Sequence, residues 1–155
     1  MSQFKALCDQ ALDILRMMQN GNSAIKFSSL TYADGKTLAT TRKGDANDSF
    51  ISCVESAAFY ISSNLANHLT QGEVKSILIS GKKGNILIQG VGDSTVLTTV
   101  TKKNVDIKKI MSEIEKYLKE LRKIGNAYEA KLKKYCSSQE SIISNSISGE
   151  LSVQA

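Results

Sequence analysis

A chain of 155 residues, 41% hydrophobic and 23% charged, suits one compact domain with a real apolar core. No apolar run approaches the roughly 20 residues of a membrane span, and the opening MSQFKALCDQ lacks the basic and apolar regions of a secretory signal. A net charge of +5 favours acidic partners, lipid headgroups or nucleic acid without selecting among them.

Phe4, Leu7, Cys8, Ala11, Leu12, Ile14, Leu15 and Met18 recur mostly at spacings of three and four, which predicts an amphipathic opening helix. Asn20-Gly21-Asn22 ends it, because both residue types tolerate the left-handed conformation of a helix C-terminus. From Ala24 to Tyr32, Ile25 and Phe27 alternate with Lys26 and Ser28, the pattern of a strand. Ala33-Asp34-Gly35 turns the chain and Lys36 to Thr41 returns, a hairpin signal. Arg42 to Asn47 is polar, contains Gly44, and reads as a loop.

Asp48 or Ser49 is the expected N-cap of a second helix. Phe50, Ile51, Val54, Ala57, Ala58, Ile61, Leu65 and Leu69 form one stripe, with Cys53, Phe59, Tyr60 and Ala66 partly off it. From Ser49 to Gly72 the only formally charged side chain is Glu55. A helix with one face on a sheet and the other in water normally carries several charges on its wet face. This one offers serine, asparagine and alanine. A second covered face is therefore expected, most simply against another copy of the same helix.

Ser76 to Thr101 holds three apolar runs: Ile77-Leu78-Ile79, Ile86-Leu87-Ile88 and Thr95 to Val100. Gly81-Lys82-Lys83-Gly84-Asn85 and Gly90-Val91-Gly92-Asp93-Ser94 separate them. Branched residues in the runs and glycine in the breaks predict a three-stranded antiparallel meander. Glycine at 81, 84, 90 and 92 is available for the positive φ of tight turns.

Asp106 is the expected N-cap of the last helix, whose apolar positions Ile107, Met111, Ile114, Leu118 and Leu121 step by four and three. Gly125 takes the next position, and Tyr128, Leu132 and Tyr135 resume the register. Gly125-Asn126 either ends this helix or loosens it, since an internal glycine costs about 1 kcal/mol. A continuing helix would outrun a small sheet and project a seam of heptad spacing. Lysines crowd the rest of its surface; they read as a solvated face, with a phosphate-binding surface as the alternative. From Ser137 onward the serine-rich chain is expected to be a flexible tail, in which Ile142, Ile143, Ile147, Leu151 and Val153 leave room for a short binding motif or an added strand. The expected fold class is α+β, a five-stranded antiparallel sheet with helices packed on it in the order α-β-β-α-β-β-β-α. The expected division is a domain over 1–124, a helical extension over 125–136 and a tail over 137–155.

Ile79-Ser80-Gly81-Lys82-Lys83-Gly84-Asn85-Ile86, then Val91-Gly92-Asp93 followed by Val96-Leu97, then a helix after Asn104, resemble the Roadblock family of dynein light chains and prokaryotic GTPase regulators. The order of elements over residues 3 to 124 is similar too. Gly90 departs from the pattern, since many members have proline there, and the lysine-rich segment after Gly125 lies outside it. The resemblance implies a homodimer, or a heterodimer, in which the second helix, Ser49 to Thr70, pairs with its copy and the third strand, Val74 to Ser80, meets its counterpart edge to edge. The implied interface comprises Phe50, Val54, Ala57, Ala58, Phe59, Tyr60, Ile61 and Leu65 on the helix and Lys75, Ile77 and Ile79 on the strand. It also implies binding to small Ras-like GTPases, with modulated hydrolysis, or a place in motor or membrane-signalling complexes.

Little catalytic chemistry is signalled. Cys8, Cys53 and Cys136 are scattered and expected to be reduced thiols. His68 is the only histidine, near the end of the second helix, and reads as a surface or cap residue. Gly81-Lys82 lacks the earlier glycine and following Ser or Thr of a phosphate loop. The stretch Asp45 to Phe50 lacks the glycine of a calcium loop. No cofactor or metal is expected, and no enzyme. No aromatic-interleaved basic motif of an RNA-binding sheet is present, which ranks nucleic acid low as a partner. Ser2 excludes myristoylation and the ending LSVQA offers no prenylation cysteine, so a cytoplasmic protein without an anchor of its own is expected.

Overall fold

The computed structural model describes residues 2–44 and 48–153. Its elements run α1 (Ser2–Gly21), β1 (Ile25–Tyr32), β2 (Thr37–Thr40), α2 (Asp48–His68), β3 (Ser76–Ser80), β4 (Gly84–Val91), β5 (Thr95–Lys102) and α3 (Ile107–Val153). The strands form one sheet in the order β2-β1-β5-β4-β3, antiparallel throughout. This is the expected α+β architecture. The hairpin at Asp34 is also as expected: Gly35 takes φ 88°, and the Asp34 carboxylate accepts from the Lys36 amide at 2.9 Å.

One face of the sheet carries the main core. Strand alternation brings Leu30, Leu87, Val91 and Leu97 to this face, where they meet Ala11, Leu15 and Met18 of α1 and Ile114, Leu121 and Tyr128 of α3. Each large aliphatic side chain buried there contributes about 1.5–3 kcal/mol. The Tyr128 ring stands 5.2 Å from both Phe4 and Tyr32, centroid to centroid. Packing therefore runs past residue 124, the expected domain boundary, as far as Leu132.

Asp106 caps α3, its carboxylate accepting from the Lys109 amide at 3.2 Å. The helix passes through Gly125 without ending. A Cβ there would lie 2.7 Å from Thr95 Oγ1, so glycine lets β5 approach the helix closely. α3 has 47 residues, a length of roughly 70 Å at 1.5 Å per residue. The segment expected as a flexible tail is helical to Val153. Its serines fold back on the helix: Ser137 Oγ donates to the Lys133 carbonyl at 2.9 Å and Ser148 Oγ to the Ser144 carbonyl at 2.7 Å.

Two further expectations need correction. Of the four meander glycines, only Gly92 takes a positive φ, 72°. Gly84 and Gly90 instead permit close approach, Gly84 to the Thr101 carbonyl and Gly90 to the Phe59 ring. Secondly, β3 opens at Ser76, not Val74. The chain leaves α2 through left-handed Thr70 (φ 57°) and Gly72 (φ 82°) and reaches β4 only where Ser76 pairs with Gln89. Of the loop expected over residues 42–47, residues 45–47 lie outside the described residues, and α2 begins at Asp48, one of the two expected cap positions.

Candidate protein-binding surface

α2 lies alone on the second face of the sheet, with its polar side turned inward. Its buried side chains are Ser52, Glu55 and Ser56. The apolar stripe points outward: Phe50 is 67% exposed, Ile61 68% and Leu65 59%, with Val54, Tyr60 and Leu69 also exposed. Ala57 is exposed as well, while Ala58 and Phe59 are half-buried.

The sheet beneath explains this orientation. Alternation puts Ser29, Thr31, Thr98 and Thr37 on this face, so it is rich in hydroxyls. The Glu55 carboxylate accepts from Thr31 at 3.0 Å and from Ser29 at 3.2 Å. Ser52 is bonded to Thr37, and Ser56 Oγ donates to the Tyr32 carbonyl at 3.1 Å. A buried polar group needs a partner, and the hydroxyls of Ser29, Thr31 and Thr37 find theirs because the polar side of α2 faces inward. Burial holds the Glu55 carboxyl above its ordinary range, opposed by the hydroxyls and by the charge of Arg42.

β3 is an edge strand. Ile77 and Ile79 pair with Ile88 and Ile86, half-buried and exposed respectively, and Lys75 just before the strand is exposed. An apolar hollow of about 280 Å³ runs between α2 and the sheet, with Phe50, Val54 and Ile79 on its rim and Phe27, Ile86 and Val100 inside. The helix stripe and the strand edge thus adjoin at this hollow, while Phe59 turns inward against Gly90 of β4. Beyond the late start of β3, a second, open cleft of about 1280 Å³ separates α3 from Phe59, Tyr60 and Lys75. Gln89 lines it, its buried amide oxygen without a protein partner.

His68 makes a contact within its own helix, Nδ1 to the Asn64 carbonyl at 2.8 Å. Cys8 is half-buried, while Cys53 and Cys136 are exposed. No described helix is long and apolar enough to cross a membrane.

Known structures share this architecture. A structure of MglB in a tetrameric arrangement superposes with a TM-score of 0.69 at 14% identity, covering 79% of this chain and 93% of that one. The gliding protein MglB of Thermus thermophilus gives 0.67 at 14%, covering 78% and 92%. A Roadblock/LC7 domain of Streptomyces avermitilis gives 0.67 at 12%, covering 72% and 93%. The chain has the Roadblock fold. No protein-family model and no curated protein matches its sequence, and at these identities the likeness is one of fold.

Within the Roadblock fold, sequence reasoning found α2 and β3 but missed three features. The inward serines and Glu55 had no periodic apolar signal. The late start of β3 depends on how α2 ends. The helical course of the segment after Ser137 was hidden by its composition.

Proposed function

We propose that this chain is a dimeric, non-enzymatic regulator or scaffold that binds a small Ras-like GTPase in the cytoplasm. The carrying observation is α2, polar towards its own sheet and apolar towards the outside. Exposing Phe50, Val54, Ile61 and Leu65 in one row is costly in water, since each buried apolar side chain regains about 1.5–3 kcal/mol. A second copy covers this row helix to helix. The same docking pairs the open edge of β3, which removes an aggregation hazard. The residues in this interface are the eleven already named on α2, β3 and Lys75. A homodimer is the simplest form, and a heterodimer with a related chain serves the same chemistry.

The GTPase part of the reading rests on the family resemblance and the Roadblock fold. Arg16 and Arg122 lie on α1 and α3, away from the α2 stripe, and Arg42, in the loop after β2, lines the hollow beside Phe50 and Val54. Modulation of hydrolysis would then act by holding the switch loops of the GTPase.

Light scattering at micromolar concentration tests the dimer, and a lone subunit there would remove it. Pull-down against Ras-like GTPases loaded with GDP or a GTP analogue tests the partner. No binding in either state would remove that part alone.

A second reading, an adaptor subunit of a motor or membrane-signalling complex, draws on α3. Tyr135, Ile142, Ile143 and Ile147 are exposed on the stretch beyond the domain. Under this reading, removing the chain after Tyr135 abolishes partner binding and leaves dimerisation intact.

A further inference from the structure

At one end of the sheet every strand runs into basic residues. β1 opens beside Lys26, β5 closes on Lys102 and Lys103, and the turn joining β3 to β4 is made by Lys82 and Lys83. β2 leaves towards Lys43 at the same end, where the Thr41 amide donates to the Ser28 carbonyl at 2.9 Å. Pairing fixes the alignment: Ile25 opposes Thr101, Gly84 opposes Lys102, and Ser80 opposes Asn85. α3 then begins with Lys108 and Lys109. All these lysines are exposed.

Lys26 and Lys83 are also tied together. Lys26 Nζ reaches across β5 and donates to the Lys83 carbonyl at 3.0 Å. A lysine of β1 and the lysine-bearing turn between β3 and β4 are thus tied together. Two acids adjoin this end, Asp106, which caps α3, and Glu113, which accepts from the Asn22 side-chain amide; the lysines outnumber them. The opposite end of the sheet has mixed charge, with Asp34, Glu73 and Asp93 beside Lys36 and Lys75. The sheet is therefore electrically polar along its strands. Crowded like charges repel one another, and a facing anionic surface turns that repulsion into attraction.

We propose that this lysine rim is a peripheral docking surface for an anionic lipid bilayer. Charge complementarity selects the partner class, and three features favour a bilayer over nucleic acid. Strand ends and turns form a rim, not a groove that tracks a nucleic-acid backbone. The charges are lysines, compact point charges on flexible stems, suited to diffuse headgroup charge more than to forked recognition of one phosphate. No aromatic side chain stands among them for base stacking. Such binding needs neither a lipid anchor nor a spanning helix. It is independent of the dimer and of the GTPase.

The test is co-sedimentation of the full chain with vesicles of phosphatidylcholine, alone or with added phosphatidylserine, at low and high salt. Binding is expected only with phosphatidylserine and should weaken as salt rises. Changing Lys82, Lys83, Lys102 and Lys103 together to Glu should lower partitioning about tenfold or more. Changing Lys116, Lys119, Lys123 and Lys134 to Glu alters net charge equally and should retain most of the binding. Should the first variant misfold by circular dichroism, the neutral pair Lys82→Gln and Lys83→Gln decides, with a partial loss expected. The proposal falls if phosphatidylserine vesicles are not bound at low salt, or if the two charge-reversed variants lose binding equally. It falls too if the neutral pair binds like the parent, or if a short RNA duplex is bound while vesicles are not.

Discussion

Glu55 of α2 accepts a 3.0 Å hydrogen bond from the Thr31 hydroxyl of β1, and it is the only formally charged side chain between Ser49 and Gly72. Its carboxyl titrates above the ordinary value of 4.5, chiefly because burial penalises the charged form. The native state therefore keeps the proton after the unfolded chain has lost it. This contribution to stability is full below the ordinary carboxyl value and is lost as pH rises through the native one. Glu55→Gln should flatten the profile. It should match the parent below pH 4.5 and exceed it at neutral pH by on the order of 1 kcal/mol. Urea unfolding at both pH values measures this; a variant weaker than the parent at neutral pH would mean the ionised carboxylate stabilises α2.

The outward face of α2 predicts a separation between folding and association. Ile61 is 68% exposed in the single chain, so Ile61→Asp should change subunit stability by no more than about 0.5 kcal/mol. In a helix-to-helix dimer the same change buries a charge and should weaken association at least about tenfold. Leu15→Ala should do the reverse, costing about 2–5 kcal/mol of folding stability because that side chain is fully buried in the core. Sedimentation velocity and urea titration on both variants read the two effects. An Ile61→Asp protein that dimerises like the parent would place the interface elsewhere.

What the sequence made legible followed from where apolar periodicity coincided with burial. α1, β4, β5 and the first half of α3 all bury their apolar stripes, and the Roadblock order of elements could be read from them and from the apolar run of β3. α2 broke the rule in an instructive way. Its apolar stripe was visible, and its lack of charge pointed to a helix unlike an ordinary half-wet one, but periodicity cannot say which face meets the sheet. That choice belongs to Ser29, Thr31, Thr37 and Thr98, whose hydroxyls lie on strands far away in sequence. The glycines were legible as special positions, yet whether each serves a turn or a close approach depends on tertiary neighbours.

Two of those glycines give a paired prediction. A Cβ on Gly84 would collide with the backbone carbonyl of Thr101 on the neighbouring strand, which moves only if β4 and β5 separate. A Cβ on Gly90 would lie 2.7 Å from Phe59 Cζ, the tip of a side chain that can swing away. Gly84→Ala should therefore cost about 2–3 kcal/mol and Gly90→Ala about 1 kcal/mol or less. Thermal unfolding of the two variants ranks them; the opposite order would mean that Phe59 is a rigid wedge beneath α2.

The last prediction concerns where the domain ends. Composition changes after Ile124, but packing does not, because Tyr128 is buried between Phe4 and Tyr32 and Leu132 still touches the core. A chain ending at Ile124 loses a buried aromatic and should be less stable by about 3–5 kcal/mol. A chain ending at Tyr135 loses only the exposed stretch of α3 and should unfold within about 0.5 kcal/mol of the full chain. Tyr128→Ala in the full-length protein should reproduce most of the larger loss. If the two truncations unfold at the same urea concentration, the aromatic cluster contributes little. If they differ as expected, only the longer truncated chain can test α3 as a docking element, since the shorter one confounds lost binding with lost folding.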